Sequence, residues 1–269
     1  KDYHSSIKNI SNLINSFVSK IESEFTIGVG IPGFLSNETG LVKNANSIWL
    51  NNKYFKKDLE SALNKEIRIM NDANCFTLSE SIDGAGKKYN SVFGIIIGTG
   101  FGSGLSFNKQ IIEGVNQVAG DWGHQPLPYP TDEEAKTDIN CPVINCGRKL
   151  CSEQFISGPG FEKNFNKKYN TKYTSRQIVE LDIDGDQRAN QELSLYEDRL
   201  SRLISVMIGI FDPEAIILGG GMSNIERLYK NIPTIIPKYT FSDKIRNKIL
   251  KNKHGDSSGV RGAAWLWDN

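Results

Sequence analysis

Apolar residues near the start of the chain recur at Ile7, Ile10, Leu13, Ile14, Phe17, Val18 and Ile21. That i, i+3, i+4, i+7 spacing predicts an amphipathic helix over Ser5 to Glu22. The run FTIGVGIPG then predicts a strand that opens into a tight loop at Gly30, Pro32 and Gly33. A helix over Phe55 to Leu63, a strand over Ile67 to Met70 and a helix over Asp72 to Gly84 follow. SVFGIIIGTG, Ser91 to Gly100, is almost unbroken in its apolar character, as a strand buried on both faces should be. Phe101 to Phe107 should return beside it as a hairpin, with glycines at the bend. A long irregular stretch, Gly114 to Lys149, is too long for an ordinary connection and marks a functional candidate. The chain then reads as mostly helical up to Asp212. A strand over Ala215 to Gly221 runs into glycines at a helix start, and GVRGAAWLW should form a final buried helix. Strand, glycine turn and helix alternate, so the fold class is α/β. In such folds ligands bind beyond the carboxyl ends of the strands.

Composition narrows the function classes. The 269 residues allow one large α/β domain or two modest ones. Lys+Arg 32 against Asp+Glu 31 leaves a formal charge of +1. That balance argues against a protein held by bulk charge to nucleic acid or to an anionic membrane. No apolar stretch approaches the roughly 20 residues of a membrane helix, and KDYHSSIKNI lacks a signal-peptide core. The expectation is a cytoplasmic protein with neither nucleic acid nor membrane as partner. Of four cysteines, Cys75 stands alone, whereas Cys141, Cys146 and Cys151 are spaced five apart in a proline-rich segment. Such a cluster suits metal binding or reactive thiols, and the spacing is not a C-x-x-C pair, so both readings stand.

Three other segments can carry chemistry. The glycines of GTGFGSG, Gly98 to Gly104, serve either an ordinary hairpin bend or a backbone cradle for phosphate. Gly219 to Gly221 pose the same choice, and neither segment is a Walker A loop or a dinucleotide fingerprint. Asn71-Asp72-Ala73-Asn74 joins a strand to a helix, where Asp72 is either a helix cap or a carboxylate placed to take a proton from a hydroxyl. AGDWGH sets Asp121 and His124 three apart, just ahead of the cysteine cluster.

GIPGFLSNETGLVKNANSIWL, NDANCFTLSES, IIGTGFGSG, AGDWGH, CGRKLCSEQFISGPGF, ILGGGMSN and HGDSSGVRGAAWLW stand in the order found in ROK-family sugar kinases. The chain resembles that family over its whole length, with bacterial fructokinases of the manno(fructo)kinase type as the nearest likeness. The resemblance implies an actin-like, hexokinase-type (ribonuclease H-like) two-lobed α/β fold. Residues 1–88, joined by a C-terminal helix at 258–269, would form the small lobe. Residues 89–257, with a zinc-type loop at 124–151, would form the large one. It implies ATP with Mg2+ as the phosphoryl donor, a hexose (most often fructose) as the acceptor, fructose 6-phosphate as the product, and a homodimer. Asp72 matches the catalytic base. Gly33, Asn46, Asn71, Asp121, His124 and Glu153 match sugar-binding positions. Gly98, Thr99, Gly100, Gly102, Gly220 and Gly221 match nucleotide-binding ones. His124, Cys146 and Cys151 match ligands of a structural Zn2+, with Cys141 as the expected fourth.

Three departures from the family pattern shape these expectations. Asp121 stands where the family has glutamate. Ile144 stands where the family has its first zinc cysteine. The family's opening strands and D-x-G-G-T phosphate loop are not among these residues, so the sheet should carry an unpaired edge and these 269 residues alone should transfer phosphate weakly. The competing functional readings are a truncated or degenerate copy that binds sugar with little kinase activity, and a sugar-responsive ROK repressor.

Overall fold

The computed structural model describes residues 2–136, 146–242 and 244–268. Helix α1 (Tyr3–Val18) is capped by Asp2, whose carboxylate accepts the N–H of Ser5 at 2.9 Å. It ends before the expected Glu22, because Lys20 and Ile21 close short i→i+3 turns onto Phe17 and Val18, and Ile21 faces solvent. Strand β1 (Gly28–Ile31), the two-residue strands β2 (Phe34–Leu35) and β3 (Val42–Lys43), helix α2 (Phe55–Leu63), strand β4 (Arg68–Asn71) and helix α3 (Asp72–Ile82) follow. β1 and β4 pair in parallel from Gly28↔Arg68 to Ile31↔Asn71, and β2 pairs antiparallel with β3. Tyr3, Ile27, Ile31, Val42, Phe55, Leu59 and Ile67 form the core beneath α1 and α2. Because β1 and β4 run the same way, their carboxyl ends open on one edge.

A five-stranded sheet makes the rest of the framework. Its strands are β5 (Ser91–Ile97), β6 (Phe101–Phe107), β7 (Gln110–Ile111), β8 (Ala215–Gly219) and β9 (Lys248–Lys251), in the order β7-β6-β5-β8-β9. β5 and β6 form the expected hairpin, whereas β5–β8 and β8–β9 are parallel. Between β7 and β8 lie α4 (Asp132–Ala135), α5 (Glu153–Ile156), α6 (Gly158–Tyr169), α7 (Ser175–Ile183) and the long α8 (Gln187–Phe211). Helices α9 (Arg227–Ile235) and α10 (Ser258–Ala264) flank β9 along the chain. The largest core joins Phe93, Ile95 and Ile97 of β5 to Phe155, Phe161, Tyr196, Leu200 and Ile204 of the helical layer. On the opposite face Phe76 of α3 meets Val92 and Ile217.

Helix α3 is buried nearly all round, from Ala73 to Ser81, because two neighbours close on it. α10 approaches so near that a Cβ on Gly262 would stand 1.7 Å from the carbonyl oxygen of Cys75. β6 covers the other side, where a Cβ on Gly104 would fall 2.6 Å from Asn74 Oδ1. The sequence GVRGAAWLW thus supplies a helix of the small residues that such contact requires, finished by a 3-10 turn at Trp265–Trp267. No helix among the described residues is long and apolar enough to cross a membrane.

Candidate active site

At the shared carboxyl edge of β1 and β4, side-chain amides knit the loops together. Asn71, not Asp72, is the N-cap of α3: its Oδ1 accepts the N–H groups of Ala73 (2.9 Å) and Asn74 (3.2 Å). Its Nδ2 donates to the carbonyl of Gly33 at 3.1 Å. The N–H of Asn46 donates to Pro32 at 3.1 Å, and Asn51 clasps both backbone groups of Ala45 at 2.8 and 3.0 Å. Gly33 has φ +155°, and a Cβ there would stand 2.6 Å from the carbonyl of Lys43, so no larger residue fits that crossing. The expected sugar-binding positions Gly33, Asn46 and Asn71 therefore share one corner.

Asp72 stands at the same corner, and because Asn71 has taken the capping role its carboxyl is released for other work. One oxygen accepts the N–H of Ala73 at 2.9 Å, while the residue as a whole is open to solvent. Solvent reaches it, yet protein packs closely around its carboxyl. That desolvation raises its pKa, outweighing the lowering by the backbone N–H groups of Ala73 and of Asp72 itself. One turn on, burial pushes the Cys75 thiol up to about 12, with Asp72 and Glu113 adding to the effect. Cys75 is thereby an unreactive thiol, and Glu113 is an acidic neighbour of Cys75 that no sequence motif singles out.

The start of α3 abuts the glycine hairpin. A Cβ on Gly102 would lie 3.5 Å from that of Ala73, and Gly102 is paired with Ile96 inside the strands. Gly102 lies against the start of α3, one strand pair beyond the bend. The bend itself is Gly98, Thr99 and Gly100, closed by the Gly98 N–H donating to Gly100 at 3.0 Å. The neighbouring parallel strand β8 brings Gly220 to the same end. Its φ is +80°, and a Cβ there would stand 2.5 Å from the carbonyl of Ile97. A Cβ on Gly98 or Gly221 would meet nothing within 4 Å, so both turns face open space. The amino end of α6 joins them, since the Gly158 N–H donates to Gly98 at 2.9 Å. Backbone amides at the two glycine turns suit an anionic ligand.

Trp122 is buried against Phe93, edge-on at 5.0 Å, and against Phe101. This anchor fixes the residues on either side of it: Asp121 is exposed and His124 half-buried beside the hairpin. Glu153 is buried, its Oε2 accepts the N–H of Phe101 at 3.1 Å, and its own N–H donates to Gly123 at 2.9 Å. Two arms of the loop are zipped by Leu127 N–H to Leu150 (2.8 Å) and Ser152 N–H to Gln125 (2.9 Å). That zipper sets the Nδ1 of His124 3.4 Å from the Sγ of Cys151, and the ligand atoms of His124, Cys146 and Cys151 lie within 4.8 Å of one another. Tetrahedral zinc, with bonds of about 2.0–2.3 Å, spaces its ligand atoms about 3.5–3.8 Å apart, so these donors fit three corners of such a site. Cys141, the expected fourth ligand, lies outside the described residues, as does Ile144.

The same loop is pinned to α8. Thr131 and Glu134 make a capping box on α4, and the buried Glu134 carboxylate accepts from Arg199 Nε (2.7 Å) and from Arg202 Nη1 and Nη2 (3.0 and 2.8 Å). Burial alone would push that carboxyl up. The two guanidinium groups, Arg202 foremost, and the N–H of Thr131 prevail and hold it at about 2.

The model of the ROK family matches residues 1–269. The chain is similar to the N-acetyl-D-glucosamine kinase of Haemophilus influenzae (strain 86-028NP), at 37% identity over 268 residues, spanning 99% of this chain and 88% of that one. Its fold is similar to that of a ROK hexokinase from Thermus thermophilus, with a TM-score of 0.82 at 21% identity over 98% of this chain and 86% of that one. A ROK glucokinase from Streptomyces griseus, solved with glucose and AMPPNP, matches with a TM-score of 0.78 at 23% identity over 96% of this chain and 87% of that one. The α/β architecture is that of the actin-like, hexokinase-type fold. The chain belongs to the ROK family.

Proposed function

We propose that this chain transfers the γ-phosphoryl group of ATP to N-acetyl-D-glucosamine or a close N-acetylhexosamine, with Asp72 as general base. The chain is a sugar kinase. The kinase from Haemophilus influenzae supports the N-acetylated substrate over the fructose expected from the motif likeness. The observation that carries the mechanism is Asp72 itself: a carboxyl with a raised pKa, released from capping, at a strand-end corner beside a glycine turn. A base whose pKa moves toward the working pH is better matched to proton transfer.

In this reading Asn71, Asn46 and the Gly33 turn hold the sugar hydroxyls on one side, and Asp121, His124 and Glu153 hold them on the other. Asp72 takes the proton of the attacking hydroxyl as its oxygen bonds to the γ-phosphorus and the bond to ADP breaks. The N–H groups of Thr99 and Gly100, with those of Gly220 and Gly221, bind the phosphates whose charge grows as ADP leaves. Mg2+ arriving with the nucleotide would help to neutralise that charge. Residues 1–88 with 258–268 form one wall of the cleft and 89–257 the other. His124, Cys146 and Cys151 would hold a structural Zn2+, giving the proline-rich loop a fixed shape that presents His124 to the sugar.

The test is ADP release by the full-length protein with N-acetyl-D-glucosamine, N-acetylmannosamine, glucose and fructose in turn. A kcat/KM for the N-acetylated sugars at least about 100-fold above that for fructose is expected, in the range a dedicated pocket achieves. Preference for fructose would overturn the substrate reading, and the absence of sugar-dependent ADP release would overturn the kinase reading.

A further inference from the structure

Glu80 is fully buried on α3, two turns beyond Asp72, and it lies outside the site just described. Every hydrogen bond the structure gives its carboxylate comes from a donor. Oε2 accepts the N–H of Ala85 at 2.8 Å and that of Lys253 at 3.1 Å. Oε1 accepts the N–H groups of Lys253 and His254 at 3.2 and 3.3 Å and the hydroxyl of Ser258 at 2.8 Å. These donors belong to two different stretches. Ala85 lies where the chain leaves α3 for β5, and residues 253–258 lie where it leaves β9 for α10. Gly84 makes room for the arrangement, since a Cβ there would fall 2.2 Å from Oε2. On the surface, Asp83 repeats the tie through His254 Nε2 at 3.0 Å and through Arg261.

One carboxylate therefore joins both connections between the five-stranded sheet and the α3–α10 pair. The sheet carries the glycine bend at Gly98 to Gly100, and α3 carries Asp72 at its first position. We infer that Glu80 is a positioning residue: it fixes the distance between the proton acceptor and the phosphate turn. This rests on the sugar-kinase reading above. Phosphoryl transfer depends on positioning more than on any other term, and displacement by about 1 Å can cost about 100-fold in rate. Loosening the joint has a specific signature. Water can then take the place of the sugar hydroxyl, attacking the γ-phosphorus to give ADP, inorganic phosphate and a proton.

Glu80→Gln keeps the shape but places an NH2 group against backbone N–H donors, whichever way the amide is turned. The experiment measures ADP and sugar phosphate together, in the wild-type protein, Glu80→Gln and Ser258→Ala, at saturating N-acetyl-D-glucosamine. The wild-type ratio of ADP to sugar phosphate should be near one. In Glu80→Gln we expect the ratio to rise about threefold or more and kcat to fall about 10–100-fold, with the KM for sugar changed by less than about threefold. Ser258→Ala, which removes one of the donors and is the gentler change, should move the ratio the same way by a smaller factor. Loss of folded protein alone lowers both products equally and leaves the ratio at one, so an unchanged ratio in both variants overturns this inference. If Glu80→Gln does not fold, the Ser258→Ala ratio decides alone. A wild-type protein that phosphorylates no sugar overturns the kinase reading and this inference with it.

Discussion

Replacing Glu134 by glutamine asks how much charge holds the loop against α8. The carboxylate is buried between Arg199 and Arg202, and its pKa falls from an ordinary 4.5 to about 2. A carboxyl whose folded value is depressed contributes stability that is complete above the unfolded value and is lost as the pH falls through the folded one. At about 1.4 kcal/mol per pH unit, that amounts to roughly 3 kcal/mol at neutral pH. Removing one partner of a buried pair costs about 3–5 kcal/mol, because the other charge is left stranded. Here Arg202 keeps the carbonyls of Pro128 and Tyr129 at 3.0 and 2.7 Å, which softens the loss. We expect Glu134→Gln to destabilise the fold by about 2–3 kcal/mol at neutral pH. Urea unfolding of both proteins from about pH 7 down to about pH 3 reads this directly. The gap should be widest at neutral pH and shrink steadily below about pH 4.5, as the wild-type carboxyl takes up its proton. A gap under about 0.5 kcal/mol at neutral pH, the range of an ordinary surface change, would refute the reasoning, as would one that stays constant on acidification.

Asp72→Asn should leave sugar binding by calorimetry largely intact and lower kcat about 10²–10⁴-fold. Because desolvation raises the Asp72 pKa, its ionised form works against folding at neutral pH, so the same variant should melt no lower than wild type. Wild-type turnover in it would remove Asp72 from the mechanism. Gly262→Ala forces a Cβ toward the carbonyl of Cys75, so α10 must retreat, at a cost of about 1–3 kcal/mol or more. A melting temperature unchanged by that substitution would mean the two helices do not meet as described. Metal analysis of protein purified without chelator should find about one zinc per chain, lost in Cys151→Ser and in Cys141→Ser. A metal-free wild-type protein would end that proposal.

What could be read from sequence follows from how many physical demands a pattern meets at once. The β5–β6 hairpin is legible because SVFGIII has no charged residue and the glycines after it leave no other place to turn. β9 is not, since KILK is four residues at a sheet edge with its lysines turned to solvent. Alternating glycines announce close approach without saying of what. Only the strand register separates Gly100, at the bend, from Gly102 and Gly104, which admit α3. Asp72 is ambiguous for a similar reason, because a helix cap and a general base are both carboxylates at a strand–helix junction. The structure gives the cap to Asn71. Glu80 carries no motif, and its hydrogen-bond partners Lys253 and Ser258 lie more than a hundred residues away along the chain.

The α10 segment also sets the order in which the molecule can be completed. Trp267 Nε1 donates to the carbonyl of Ile27 at 2.9 Å, and Gly262 lies against Cys75, so α10 and its closing turn cover β1 and α3. On a ribosome emitting about 5–20 residues per second, the α3 face waits roughly 10–40 seconds after its own synthesis for that cover. Until then Cys75, Leu78 and Met70, which pack with Ala263 and Leu266 in the finished fold, present a sticky surface to the cell. Contacts of such long sequence separation slow folding and lengthen this vulnerable interval. Yield during expression should accordingly depend more on temperature and chaperone supply than the stability of the finished protein would suggest.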